Sequence, residues 1–196
     1  AFCEALVPIL REELLAVREV GVDLIQLDEP HLCVLVDPEV RAPFDDPEAE
    51  MRKAVDWINA IVDGVEGVTL AVHLCRRNWG RSGWGAEGGY EPIVDAMKKI
   101  NVDQYVMEFS IPAAGDVAIL KELPEDSLIG LGSVECRFEH VDTPEEITEA
   151  AMEMQQRVQS AFEPSEEDED LQRLWLSIVL DYPQVVPLEP GHGRRY

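Results

Sequence analysis

Apolar side chains recur at helical spacing through residues 4–20, EALVPILREELLAVREV, and Gly21 then supplies a helix stop. The pattern changes at once. VDLIQLDEP (22–30) is a short apolar strand that ends in two acids, and Pro30 opens a loop. Turn-forming residues crowd 34–47, so that stretch reads as loop. PEAEMRKAVDWINAIVDGV (47–65) returns to helical spacing, with Asp46 placed to cap and Pro47 in the first helical position. GVTLAVHLC (67–75) is a second strand, followed by a Gly- and Trp-rich loop, RRNWGRSGWGAEGG (76–89). EPIVDAMKKI (91–100) predicts a helix, VDQYVMEFS (102–110) a third strand and AAGDVAILKEL (113–123) a weaker helix. DSLIGLGSVECR (126–137) is a fourth strand. TPEEITEAAMEMQQRVQSAF (143–162) is a helix whose Thr143, Pro144 and Glu146 spell a capping box. After an acidic run, EPSEEDEDL (163–171), LWLSIVL (174–180) offers a fifth strand.

Strands that alternate with crossover-length helices imply parallel pairing and an α/β fold. The acids and the Gly/Trp loop follow strand ends, the side on which such folds bind ligands. This pattern alone does not separate an open sheet from part of a barrel.

Composition narrows the function. The 196 residues suit one domain, and 46% hydrophobic content with four Trp and five Phe excludes wholesale disorder. A formal net charge of −24 argues against nucleic acid and against an anionic membrane surface as partners. No apolar run reaches membrane-spanning length. Cys3, Cys33, Cys75 and Cys136 are widely scattered, which is not a disulfide framework. The expected setting is a reducing one, the cytoplasm.

Against that background AVHLCRRN (71–78) stands out. Residues two apart on a strand share a face, so His73 and Cys75 are able to reach one ion. Zinc accepts imidazole, thiolate and carboxylate. The next strands end near Glu108 and Cys136, which makes His73, Cys75, Glu108 and Cys136 a candidate metal set; plain packing of a histidine and two thiols is the competing reading. Glu108 is the hardest to read as packing, because a buried carboxylate requires a partner. Asp28 and Glu29 alternate in direction, so only one faces the strand-end mouth, where a carboxylate suits the ammonium group of a small substrate; an acid that caps a helix or braces a loop is the competing reading. Arg76, Arg77 and Arg81 form a basic loop suited to a carboxylate or phosphate. Trp79 and Trp84 either stack on a flat ring or pack that loop.

The stretches GVDLIQLDEP (21–30), HLCRRNWGRSGWGAEGGYEPI (73–93), VDQYVMEFS (102–110), AGD (114–116) and IGLGSVECRFEHVDTPEEI (129–147), in this order and spacing, resemble the cobalamin-independent methionine synthase family. The likeness is to its catalytic C-terminal barrel and shorter stand-alone relatives, and it extends over roughly residues 5–177. It implies a (β/α)8 TIM barrel, of which this chain would hold about the last five strand-helix units in residues 1–180, followed by a divergent tail, 181–196. A second chain or copy would then complete the barrel. The resemblance implies a catalytic zinc and a methyl group moved from a methyl-folate to the thiol of homocysteine. His73, Cys75 and Glu108 match its zinc ligands, and Asp28 matches the aspartate that holds the amino-acid part of the thiol substrate.

Two departures accompany the match. The family closes its zinc site with a cysteine in a PDCG-like turn, whereas this chain reads RLWLS (173–177) and then IVLDYPQVVPLEPGHGRRY. Cys136 or water then fills the fourth position. Arg77 also stands where the shorter relatives usually carry glycine. Alternatives to the methyltransferase are alkyl transfer to another small thiol, and a catalytically inactive remnant or interaction module. A uroporphyrinogen-type decarboxylase shares the barrel plan but has no need of zinc.

Overall fold

The computed structural model describes residues 2–77, 85–135, 140–162 and 176–177. Its centre is a five-stranded, wholly parallel sheet in the order β1-β2-β3-β4-β5. The strands are β1 (Leu24–Asp28), β2 (Thr69–Leu74), β3 (Gln104–Glu108), β4 (Leu128–Gly132) and β5 (Leu176–Ser177). Sequential order with helical crossovers is the α/β arrangement that the alternating pattern predicts. The acidic run and the tail 181–196 lie outside the described residues.

Register divides the sheet into two unlike faces. Asp28 pairs with His73, His73 with Val106 and Val106 with Gly130. Paired residues of parallel strands project to the same side. One face therefore carries Val72, Leu74, Tyr105, Met107 and Leu131, all buried in the main core. Helices α4 (Pro47–Val62), α5 (Val94–Met97) and α6 (Pro144–Ala161) contribute Met51, Val55, Ile58, Met97, Met154 and Val158 to that core. Burying side chains of this size stabilises by about 1.5–3 kcal/mol each, enough to fix which face turns inward. The other face carries Asp28, His73, Gln104, Glu108, Gly130 and Gly132, polar or small residues, together with the buried Val106.

Helix α1 (Phe2–Glu19) runs through Pro8 and packs Leu14 against Ile61, Val62 and Val65 in a smaller cluster. Its Arg11 Nη1 donates to the Ile61 carbonyl at 3.0 Å. Beside it β1 is a sheet edge, and Phe2, Ile9, Leu10 and Val17 remain exposed. Among the described residues no helix is long and apolar enough to cross a membrane.

Several elements depart from the sequence pattern. The 34–47 loop is shorter than expected, because α2 (Pro30–Val34) and α3 (Pro38–Arg41) form around it. Each begins with a proline directly after an acid that caps it: Glu29 accepts from Leu32 N and Asp37 from Glu39 N. Residues 91–100 hold only a 3-10 turn (Glu91–Ile93) and the one-turn α5, and 113–123 holds a 3-10 helix (Val117–Glu122) in place of an α-helix. The expected caps of α4 and α6 are present: Asp46 accepts from Ala49 N, and Thr143 and Glu146 form a reciprocal capping box. Gly115 adopts φ +86, and a Cβ there would lie 2.5 Å from Gly89 Cα, so the AGD and GGY segments meet backbone to backbone.

Two outcomes follow. Gly115→Ala combines left-handed strain with that clash and should destabilise by more than about 2 kcal/mol in urea unfolding. Glu146 is held below its ordinary 4.5, first by the Thr143 N–H and then by His140. The cap is therefore fully present above about pH 4.5 and is lost as pH falls through the lowered value; amide exchange at the start of α6 should rise only on that acid side, and Glu146→Gln should flatten the dependence.

Candidate functional site

The polar face gathers its chemistry at the carboxyl ends of β1, β2 and β3. Strand β1 ends in Asp28, whose Oδ1 lies 3.1 Å from His73 Nδ1 on the neighbouring strand. A carboxylate only accepts, so Nδ1 carries the proton, and in the neutral ring Nε2 keeps its lone pair. Gln26, two residues earlier on the same face, donates from Nε2 to the same Asp28 Oδ1 at 2.9 Å. Asp28 is thus fixed from two sides while its side chain stays 69% exposed. Glu29 turns away and caps α2, accepting from Leu32 N at 2.8 Å. The two acids thus differ in partner: Asp28 faces His73, and Glu29 braces a helix.

His73 is half-buried, and Cys75 follows two positions on, just past the end of β2, also half-buried. Glu108 closes β3 and is buried, 9% exposed. Cys136 lies outside the described residues. Imidazole, thiol and carboxylate thus come from adjacent strand ends of one face. Among the described residues, the one set of three such side chains with ligand atoms all within 4.8 Å of one another is elsewhere: His140, Asp142 and Glu146. His73, Cys75 and Glu108 are more widely spread than that. The His140 group serves the start of α6, where Glu146 accepts from Thr143 N at 2.7 Å and His140 Nε2 sits 3.1 Å from the Glu146 carboxylate.

Behind the strand ends lies a buried layer that the sequence pattern does not reveal. Arg76, expected in a basic ligand loop, is completely buried. Its Nε and Nη2 donate to the Gly88 carbonyl at 3.0 and 2.6 Å, and Nη2 also donates to Ala114 O at 3.1 Å. The guanidinium stacks 4.2 Å over the Tyr90 ring. Burial disfavours its charge, but Tyr90, Cys33 and Glu108 outweigh that and hold it protonated above its ordinary value. The Tyr90 hydroxyl accepts from Glu108 N at 2.8 Å and lies 3.1 Å from Leu74 O and 3.3 Å from Glu108 O. With one proton it donates to one of these carbonyls at a time, and burial raises its pKa so that the proton stays.

Cys33 sits in the core with its thiol pushed up to about 12, chiefly by burial, with Arg76 opposing and Cys75, Glu108 and Glu29 adding. It is a neutral packing thiol, although the charges around it place it in the same neighbourhood. No disulfide joins Cys3, Cys33 or Cys75. Arg77, next in sequence, points to solvent and holds φ +60, a left-handed conformation that costs a side chain about 1–2 kcal/mol. Arg81, Trp79 and Trp84 lie outside the described residues.

Residues 1–177 match the family model described as the catalytic domain of cobalamin-independent synthase. The chain is 29% identical over 150 residues to methionine synthase of Pyrococcus abyssi, covering 76% of this chain and 37% of that protein. It is 27% identical over 139 residues to 5-methyltetrahydropteroyltriglutamate–homocysteine methyltransferase of Bacillus velezensis, covering 70% of this chain and 16% of that protein. Among solved structures, the B12-independent methionine synthase of Shewanella sp. W3-18-1, in complex with selenomethionine, superposes with a TM-score of 0.57 at 22% identity. The match covers 79% of this chain and 42% of that one, and it extends the likeness to the fold. The chain thus spans well under half the length of these relatives.

The left-handed backbone at Arg77 gives a direct test. Arg77→Gly relieves the strain and should leave stability unchanged or raise it by up to about 1 kcal/mol, whereas the β-branched Arg77→Val should lower it by about 1–2 kcal/mol. Urea midpoints at constant m decide it.

Proposed function

The chain belongs to the cobalamin-independent synthase family, and we propose that it carries the zinc-binding half of a methyltransferase barrel that moves a methyl group from a methyl-folate to the thiol of homocysteine. The observation that carries this reading is the Asp28–His73 pair. A carboxylate on Nδ1 fixes the ring and raises the basicity of Nε2, the arrangement that metal-bound histidines ordinarily have. The donor set of imidazole, thiolate and carboxylate suits zinc. The ion would be held by His73 Nε2, the Cys75 sulfur and the Glu108 carboxylate, with Cys136 as the proposed fourth ligand. The ligand atoms of these three do not all lie within 4.8 Å of one another, so loading requires the side chains to draw together.

When bound, zinc favours the deprotonated form of an incoming thiol and so supplies the nucleophile. The residues of this chain do the rest. Asp28 orients His73 through Oδ1, and its exposed carboxylate offers a counter-charge to the ammonium group of an amino-acid thiol such as homocysteine. Gln26 holds that carboxylate in place. Buried Glu108 supplies negative charge at the β3 end, and the Tyr90 hydroxyl fixes its backbone. The methyl carbon is attacked in line by sulfur. The carbon–nitrogen bond to the folate breaks, and the electron pair leaves with the folate nitrogen, which takes a proton.

The five strand-helix units of 1–180 would form the later part of a (β/α)8 barrel. The β1 edge and the exposed Phe2, Ile9, Leu10 and Val17 of α1 are the surface against which further units, or a second copy, would pack. A cytoplasmic setting suits the thiol chemistry. A second reading, an inactive family module, draws support from the residues after RLWLS (173–177), which do not carry the cysteine with which the family closes its zinc site.

Protein purified under reducing conditions should contain about one zinc per chain, and His73→Ala should weaken binding at least about 100-fold in chelator competition. Asp28→Asn should weaken zinc about 10–100-fold by loosening the ring. Zinc binding without methyl transfer selects the inactive-module reading; absence of zinc from the wild-type chain overturns the metal site.

A further inference from the structure

Cys75 is one residue past β2 and Glu108 is the last residue of β3, so any ion they share depends on how these two strand ends are spaced. Main-chain pairing between β2 and β3 runs only to Leu74 with Met107. Where that pairing ends, a side chain also bridges the two strands. The Tyr90 hydroxyl accepts from Glu108 N and faces Leu74 O, so one oxygen holds both strand ends. Its ring is in turn held between Phe109, at 5.5 Å, and the Arg76 guanidinium, at 4.2 Å.

Arg76 is placed to fix that ring. It directly follows Cys75, and its fork engages Gly88 O and Ala114 O while its Cζ sits over the Tyr90 ring. Its own carbonyl accepts from Gly85 N at 2.7 Å. Three segments, the end of β2, the loop before Tyr90 and the turn at 113–115, therefore converge on one cation. Taking a charge fully out of water is costly, and its Nη1 has no hydrogen-bond partner among the described residues. An apolar side chain would fill the same space at less cost, so the geometry calls for what arginine alone offers: a planar fork that bonds two carbonyls and stacks on a ring at once. Lysine keeps the charge but not the plane.

We infer that Arg76 is a positioning residue for the proposed zinc site: through its stacking on Tyr90 it sets the spacing of Cys75 and Glu108 across the ends of β2 and β3. This rests on the zinc reading above. Arg76 touches neither ion nor substrate, and its effect passes through the Tyr90 hydroxyl.

The test uses Arg76→Lys, Tyr90→Phe and the double variant, each compared where circular dichroism shows it fully folded. The first readout needs no metal. In the metal-free protein the Glu108 amide should exchange at least about tenfold faster in Arg76→Lys, as it should in Tyr90→Phe, while the Tyr105 amide in the same strand keeps its rate. The second readout is zinc affinity by chelator competition. Each single variant should bind about 10–100-fold more weakly, and the double variant no more than about threefold below the weaker single, since the two residues act as one unit. Uniformly faster exchange across β3, wild-type exchange at Glu108 in Arg76→Lys, or losses of zinc affinity that simply multiply would each overturn the positioning role. Failure of the wild-type chain to bind zinc would sink the metal reading instead, and the exchange measurement would still decide whether Arg76 acts through Tyr90.

Discussion

Parallel strands in register project paired residues to one side, and this constraint organises the rest of the molecule. Once Val72, Leu74, Tyr105, Met107 and Leu131 are buried under the helices, the alternate positions have no choice of direction. Asp28, His73, Gln104 and Glu108 must share the opposite face. Slipping β2 by one residue against β1 would move His73 into the aliphatic core and bring Leu74 beside Asp28. Several buried aliphatic side chains, each contributing about 1.5–3 kcal/mol, oppose that slip. The chemistry of the polar face is therefore enforced by the packing of the apolar one.

Much of this was legible in the sequence. Helical spacing, capping residues ahead of prolines and the two-residue period of the strands gave α4, α6 and five strands along the chain. The H-x-C spacing and the carboxylate at the end of the third strand pointed to one face, and the register places His73 and Glu108 on it. The short helices α2 and α3 were hidden because a proline after an acid signals a loop as readily as a helix start. The 113–123 segment carries helical spacing, but its Val117–Glu122 part winds as a 3-10 helix, a difference that spacing alone does not signal.

The least legible part is the buried layer. Arg76 reads as a surface charge in an RR pair, and only the fold reveals that the first arginine turns in and the second turns out. The signal was nonetheless present. Arg76 follows Cys75 by one position, so on a strand it must point away from the site and towards the core. A glycine-rich GGY segment downstream supplies the free carbonyl and the ring that such a cation requires. Arg77 then takes the left-handed turn that glycine would take without strain. The contrast between neighbouring arginines is a contrast of strand parity, not of chemistry.

In the proposed function, side chains from successive strand ends converge on one metal ion. X-ray absorption at the zinc edge of the loaded protein tests it most directly. The ion should then be bound by one imidazole nitrogen at about 2.0–2.1 Å, sulfur at about 2.3 Å and carboxylate oxygen at about 2.0–2.2 Å. The sulfur contribution should vanish in part with Cys75→Ser, and the imidazole scattering with His73→Ala. An all-oxygen shell, or a spectrum indifferent to both substitutions, would contradict it.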